Sequence, residues 1–270
     1  MFHEFADYRQ EGDDLVLYIA HSNGWDLGYG LGESDTMWTT GGPIPRGAFG
    51  MHAMTMDISP IGRYVINGYT GEVKHRKLFQ DRRHWGPGIY GRDMRRAGLE
   101  HGRYMWQSYW GYEPTMVPTR LVEMYRNHPY RVVPVEELPR DAVPSSLVCI
   151  DLEAMREQSS WSFPEGTFGQ AACHVPDPAE GPGWTLCFVQ HTDRTELQVF
   201  DALDLGRGPL ATARAPGFKQ SYQVHSGWME TIRSQETGYR RSYADDIGDG
   251  WRSLEPAVRG VVESVIARYE

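Results

Sequence analysis

The stretch "GWTLCFVQHTDRTELQVFDA", residues 183–202, sets two runs rich in β-branched and aromatic residues on either side of the polar "HTDRTE". Such side chains suit a pleated, half-buried surface, and the polar break lets the chain reverse, so the stretch reads as an antiparallel pair of strands. The same pattern recurs. "DDLVLYIA" (13–20) leaves an acidic glycine turn, and "GRYVINGYTGEVKHRKL" (62–78) reads as a hairpin in which Asn67 to Gly71 supply residues that accept positive φ. "SLVCIDLEAM" (146–155) and "GPLATARAP" (208–216) continue it. The 30 glycines and 17 prolines fall mainly between such runs, which favours an all-β sandwich, barrel or propeller over alternating βα units.

Helix is confined to the end of the chain. In "SLEPAVRGVVESVIARYE", Leu254, Val258, Val261, Val262, Val265, Ile266 and Tyr269 recur at threes and fours, with Ser253 as N-cap and Pro256 in the first turn. One amphipathic helix closes the sequence. The region from about 80 to 145, including "RRHWGPGIYGRDMRRAGLEHGRYMWQSYWGYEP", is rich in Arg, Trp and Tyr without a clean period. It reads as mixed strand and loop. Within it, "YMWQSYWGY" (104–112) suits either an apolar tunnel or a plain core, and the core is the commoner use of such side chains.

At 270 residues, 40% hydrophobic and 23% charged, the composition is globular. A net charge of -9 argues against a nucleic-acid backbone as the main partner. No run is long enough to span a bilayer, and "MFHEFADYRQEGDD" has neither a basic nor an apolar leader region. A soluble, cytoplasmic protein is the expectation. Cys149, Cys173 and Cys187 sit in or beside apolar runs without CxxC spacing, as buried reduced thiols do.

Several chemistries are set aside. "GYGLGES" (28–34) echoes a phosphate-binding loop, but no strand and helix surround it, and neither a Walker lysine nor a nucleophile-elbow serine is present. The histidines remain. His3 stands just upstream of a strand and His225, in "GFKQSYQVHSGWM" (217–229), at the end of another. A ring of strands can bring such distant termini together, and imidazoles without paired thiolates suit a redox metal better than structural zinc.

Residues 1–20, "FHEFADYRQEGDDLVLYIA", and 183–229, from "GWTLCFVQH" through "ELQVFDALDL" to "VHSGWM", resemble the carotenoid cleavage oxygenases, with "LVCIDLEAM" and "FGQAACHVPDP" in order between them. The match is close over 146–229, looser over 1–20 and 60–78, and poor over 80–145. The resemblance implies a partial seven-bladed β-propeller over 1–228, followed by a C-terminal extension with a helix over 229–270. It implies a non-haem Fe(II) dioxygenase that uses O2 to cleave a carbon–carbon double bond of a carotenoid, apocarotenoid or stilbene. Carried over by position, His3 is the third of four iron-binding histidines and His225 the fourth; the other two belong upstream of residue 1. Gln170 stands where the family places a glutamate that hydrogen-bonds a ligand, and an amide there brings no charge. His52, His84 and His174 are the substitute ligands this chain offers. The implied partners are an apolar conjugated substrate with O2, a peripheral membrane contact for substrate uptake, and an N-terminal half or second subunit. The alternative is a catalytically inactive remnant that binds an apolar ligand or a protein.

Overall fold

The computed structural model describes residues 2–22, 24, 26, 28–92, 102–220, 223, 225–231 and 248–269. The chain divides into two compact units, Met1–Trp228 and Met229–Glu270.

The first unit holds three four-stranded antiparallel sheets, each a meander in which a strand pairs with the next in sequence. The first sheet contains β1 (Phe2–Glu11), β2 (Asp14–Ser22), β3 (Ile61–Asn67) and β4 (Val73–Phe79). The second contains β5 (Pro87–Arg92), β6 (Tyr104–Tyr109), β7 (Ser146–Asp151) and β8 (Arg156–Ser162). The third contains β9 (Phe168–Val175), β10 (Trp184–Gln190), β11 (Thr195–Asp201) and β12 (Ala211–Arg214). The hairpin expected over 62–78 is β3–β4, and the pair expected over 183–202 is β10–β11.

Side-chain alternation explains how the sheets stack. On β2 every second residue, Val16, Tyr18 and Ala20, is buried, and these join Ile61 and Phe79 against Met105, Tyr109, Val148 and Ile150 of the second sheet. The neighbours of those residues, Trp106, Leu147 and Cys149, point to the other face and meet Ala172, Cys187, Val189 and Phe200 of the third. β7 is therefore buried at every position. β6, inside the region 80–145, is likewise buried at all but its first position, and a strand covered on both faces shows no polar alternation, so no period could be read there.

The first strands of neighbouring sheets approach closely. A Cβ added at Gly91 on β5 would lie 2.7 Å from the carbonyl oxygen of Ala172 on β9. Only glycine lets these backbones meet. A bulge between Phe5 and Asp7 re-aims β1, and the Asp7 carboxylate accepts from Arg92 of β5 at 3.3 Å and from the backbone N–H of Gly102 at 3.2 Å.

Two long connections, 23–60 and 110–145, pack on each other through Leu31, Met56, Ile58, Tyr112 and Leu121, around Trp85 of the β4–β5 crossover. The second carries a short helix that the sequence did not announce, α1 (Thr119–Met124). Asp57, fully buried, joins the two connections: its carboxylate accepts the backbone N–H groups of Ile58 (2.8 Å), Val132 (2.7 Å) and Val133 (3.0 Å).

The second unit carries α2 (Pro256–Tyr269). It opens at the proline rather than after Ser253, whose hydroxyl instead donates to the carbonyl of Gly250 in the preceding turn. Among the described residues no helix is long and apolar enough to cross a membrane. The three cysteines are free, with Cys149 and Cys187 buried, and burial pushes the Cys187 thiol up to about 12.

Candidate functional site

After β12 the chain returns along β9, the first strand of the third sheet. The backbone N–H of Gln220 donates to the Thr195 hydroxyl (3.0 Å), that of Gln223 to Oε1 of Gln170 (2.9 Å), and the Ser226 hydroxyl to the carbonyls of Ala172 (2.8 Å) and Ala171 (3.2 Å). His225 lies between the last two anchors and is exposed. Gln170 is completely buried, and its Nε2 donates to Oε1 of Gln190 at 3.3 Å. Because a backbone N–H can only donate, the amide oxygen must face Gln223, which fixes the orientation of the side chain.

His3 is on β1, in register with His21. Its side chain, on which any shared centre with His225 depends, lies outside the described residues. Gln170 and the segment bearing His225 are brought together. Gln170 therefore has a role that the sequence could not disclose, as the buried acceptor that holds this segment against β9.

The other histidines separate clearly. His174 is buried, stacks on Trp106 with ring centroids 4.3 Å apart, and bonds the carbonyl of Pro182 through Nε2 at 2.9 Å. That nitrogen must donate, so His174 is committed to the core. His52 is exposed in an isolated bridge with Gly30.

His84 is different. It is buried and stacks on Tyr109, with Nδ1 2.9 Å from the Ser146 hydroxyl and Nε2 3.3 Å from Oε2 of Glu157. One ligand atom from each of Asp81, His84 and Glu157 lies within 4.8 Å of the others. Burial holds the imidazole below the usual histidine range, against the opposing pull of Glu157. Burial would raise the carboxyl of Asp81, but hydrogen bonds from Arg83 bring it below its ordinary value. The trio ties the crossover from β4 to β5 onto β8, the last strand of the second sheet, and not onto β9. The contacts of His84 run to Tyr109, Ser146 and Glu157 of the second sheet, whereas the His225 segment is anchored on the third.

Beside Thr195, Glu196 is 3% exposed and receives Arg194 Nε (2.7 Å), Arg214 Nε (2.7 Å) and His191 Nε2 (3.1 Å). Burial opposes its charge, but the bonds from Arg194, Gln198 and His191 prevail and hold its carboxyl at about 2.

A family profile described as retinal pigment epithelial membrane protein matches residues 51–230. A resveratrol cleavage oxygenase of Chaetomium globosum is 32% identical over 104 residues, 37% of this chain and 17% of that protein. Isozyme III of lignostilbene-α,β-dioxygenase from Sphingomonas paucimobilis is 32% identical over 83 residues, 29% of this chain and 16% of its own. A variant of the apocarotenoid oxygenase of Synechocystis has the same fold with a TM-score of 0.54 over 84% of this chain and 39% of its own, at 18% identity. The cobalt-substituted form of that enzyme gives 0.50 over 79% and 36%, also at 18% identity. The chain thus spans less than half the length of each of these proteins. With sheets, order and matched residues in agreement, the chain belongs to the retinal pigment epithelial membrane protein family, that of the carotenoid cleavage oxygenases.

Proposed function

We propose that the protein acts in a non-haem Fe(II) dioxygenase that cleaves the carbon–carbon double bond of an apolar conjugated substrate with O2. A stilbene is favoured over a carotenoid or apocarotenoid because the relatives at 32% identity are named for resveratrol and lignostilbene. The observation that carries the reading is the mooring of the His225 segment along β9 through Gln170 and Ser226.

In this reading His3 and His225 supply one side of a four-imidazole site. His225 is an exposed donor on a backbone held at both sides, and His3 begins the first strand of another sheet. Two imidazoles hold iron weakly, so the other two come from an N-terminal half or a second subunit. When bound, iron supplies the activation of O2 that side chains cannot. The chain itself fixes His225, while Gln170 orients the segment through a neutral amide. No protein acid or base is required.

The outer faces of the flanking sheets support completion by further sheets into a seven-bladed β-propeller. By register, Leu15, Leu17, Ile19, Tyr64 and Ile66 point away from the second sheet and are half-buried, as are Leu186, Phe188, Leu197 and Val199 on the third. Apolar rows of this kind are what a neighbouring sheet covers. Residues 229–270 form an extension outside the propeller, and a peripheral membrane contact for substrate uptake belongs to the same proposal.

The test is iron content and O2-dependent cleavage of resveratrol and of an apocarotenal, with the chain alone and combined with the polypeptide that supplies the remaining sheets. The expected result is turnover by the combined protein and at least a hundredfold loss with His225→Ala. Iron far below one per chain and no turnover in either form would leave the alternative, a remnant that binds an apolar ligand or a protein.

A further inference from the structure

We infer that Asp81, His84 and Glu157 form a binding site for a divalent metal ion of the zinc class, separate from the proposed iron centre and serving to clamp the β4–β5 crossover to β8. The geometry is that of ligands whose remaining atoms are already occupied. Nδ1 of His84 is held by the Ser146 hydroxyl at 2.9 Å. Oε1 of Glu157 accepts from Ser160 at 2.7 Å, and Oδ1 of Asp81 from the backbone N–H of Arg83 at 2.8 Å. The atoms left for an ion are Nε2 of His84, Oε2 of Glu157 and Oδ2 of Asp81, of which the two carboxylate oxygens now accept from Arg83. Such outer partners are what fix the tautomer and aim of metal ligands. Donors about 2.1 Å from a tetrahedral ion are roughly 3.4 Å apart, and Nε2 and Oε2 are separated by 3.3 Å.

A cation is already drawn to this point. Nη2 of Arg83 lies 2.6 Å from both Oδ2 of Asp81 and Oε2 of Glu157, on a side chain that is 64% exposed. With Arg83 released to solvent, the two carboxylates carry two negative charges, which a divalent ion would neutralise. Arg83 and the metal are therefore competitors. The fourth position, where Arg83 now enters, would pass to water.

The experiment titrates metal-stripped protein with Co2+, read by its visible absorption and by competition with Zn2+. The expected result is one Co2+ per chain, retained in His225→Ala, weakened at least tenfold in Asp81→Asn and in Glu157→Gln, and tightened several-fold in Arg83→Met. Both carboxamide variants alter partly exposed side chains and leave His84 in the core, so folding is checked by their thermal transitions. Unchanged Co2+ affinity in Asp81→Asn and Glu157→Gln would overturn the assignment. So would absence of binding in both the unaltered chain and Arg83→Met, since the guanidinium would then be the only cation the cluster takes.

Discussion

Among the described residues, another sheet covers the second sheet on both faces, whereas the first and third are each covered by a sheet on one. The middle sheet places Trp106 and Cys149 against one neighbour and Met105 and Ile150 against the other. The flanking sheets alternate in burial rather than in polarity: along β2 and β10 the half-buried positions include Leu15, Leu17, Ile19, Leu186 and Phe188. The difference is that the centre has a neighbour on each face, while the half-buried apolar rows of the flanks are what the proposed further sheets would cover.

The sharpest way to break this comparison is at its centre. Trp106 is fully buried, donates from Nε1 to the carbonyl of Ala202 at 2.6 Å and stacks on His174. Trp106→Ala is expected to lower unfolding stability by about 3–5 kcal/mol in a denaturant titration; a loss under 1 kcal/mol would mean that the second and third sheets are not packed as described. A smaller effect separates the charged end of the third sheet from its core. The Glu196 carboxyl, at about 2, lies below its ordinary 4.5, so the unfolded chain takes up the proton first. Its contribution, at most about 3 kcal/mol, is complete above the ordinary value and is lost as pH falls towards 2. Thermal unfolding followed from pH 5 to pH 2 should show a shallower decline in Glu196→Gln than in the unaltered chain. The smallest change is expected on the bare flank: Leu17→Ala should cost less than about 1 kcal/mol in this chain alone, since half-exposed leucines lose little. Once the remaining sheets are supplied, the same substitution should cost at least twice as much, and an unchanged cost would sink the proposal that this face is covered.

How much of this was legible depended on residue type more than on coverage. β10 and β11 were readable because their runs are rich in β-branched and aromatic residues and flank the polar "HTDRTE"; along β10 burial alternates, with Thr185, Cys187 and Val189 buried and Leu186 and Phe188 half-buried, but polarity does not. β7, buried throughout, still reads as a strand from its apolar run, whereas β6 lies in an aromatic stretch without a period and α1 is too short to build one. Ser253 looked like a cap because residue type favours it, but the hydroxyl found a nearer carbonyl. Around the site, His225 stood out by its local motif. The acceptor role of Gln170 towards Gln223, 53 residues away, and the meeting of Asp81 and His84 with Glu157 depend on strand pairing across the sheets, and no local spacing announces them.

Among the described residues, the hold on the His225 segment is built from an amide, two hydroxyls and peptide groups, with no ionised partner. Added salt has nothing there to screen and acid nothing to neutralise, so conditions that dissolve the arginine–carboxylate network beside it should leave this seam closed.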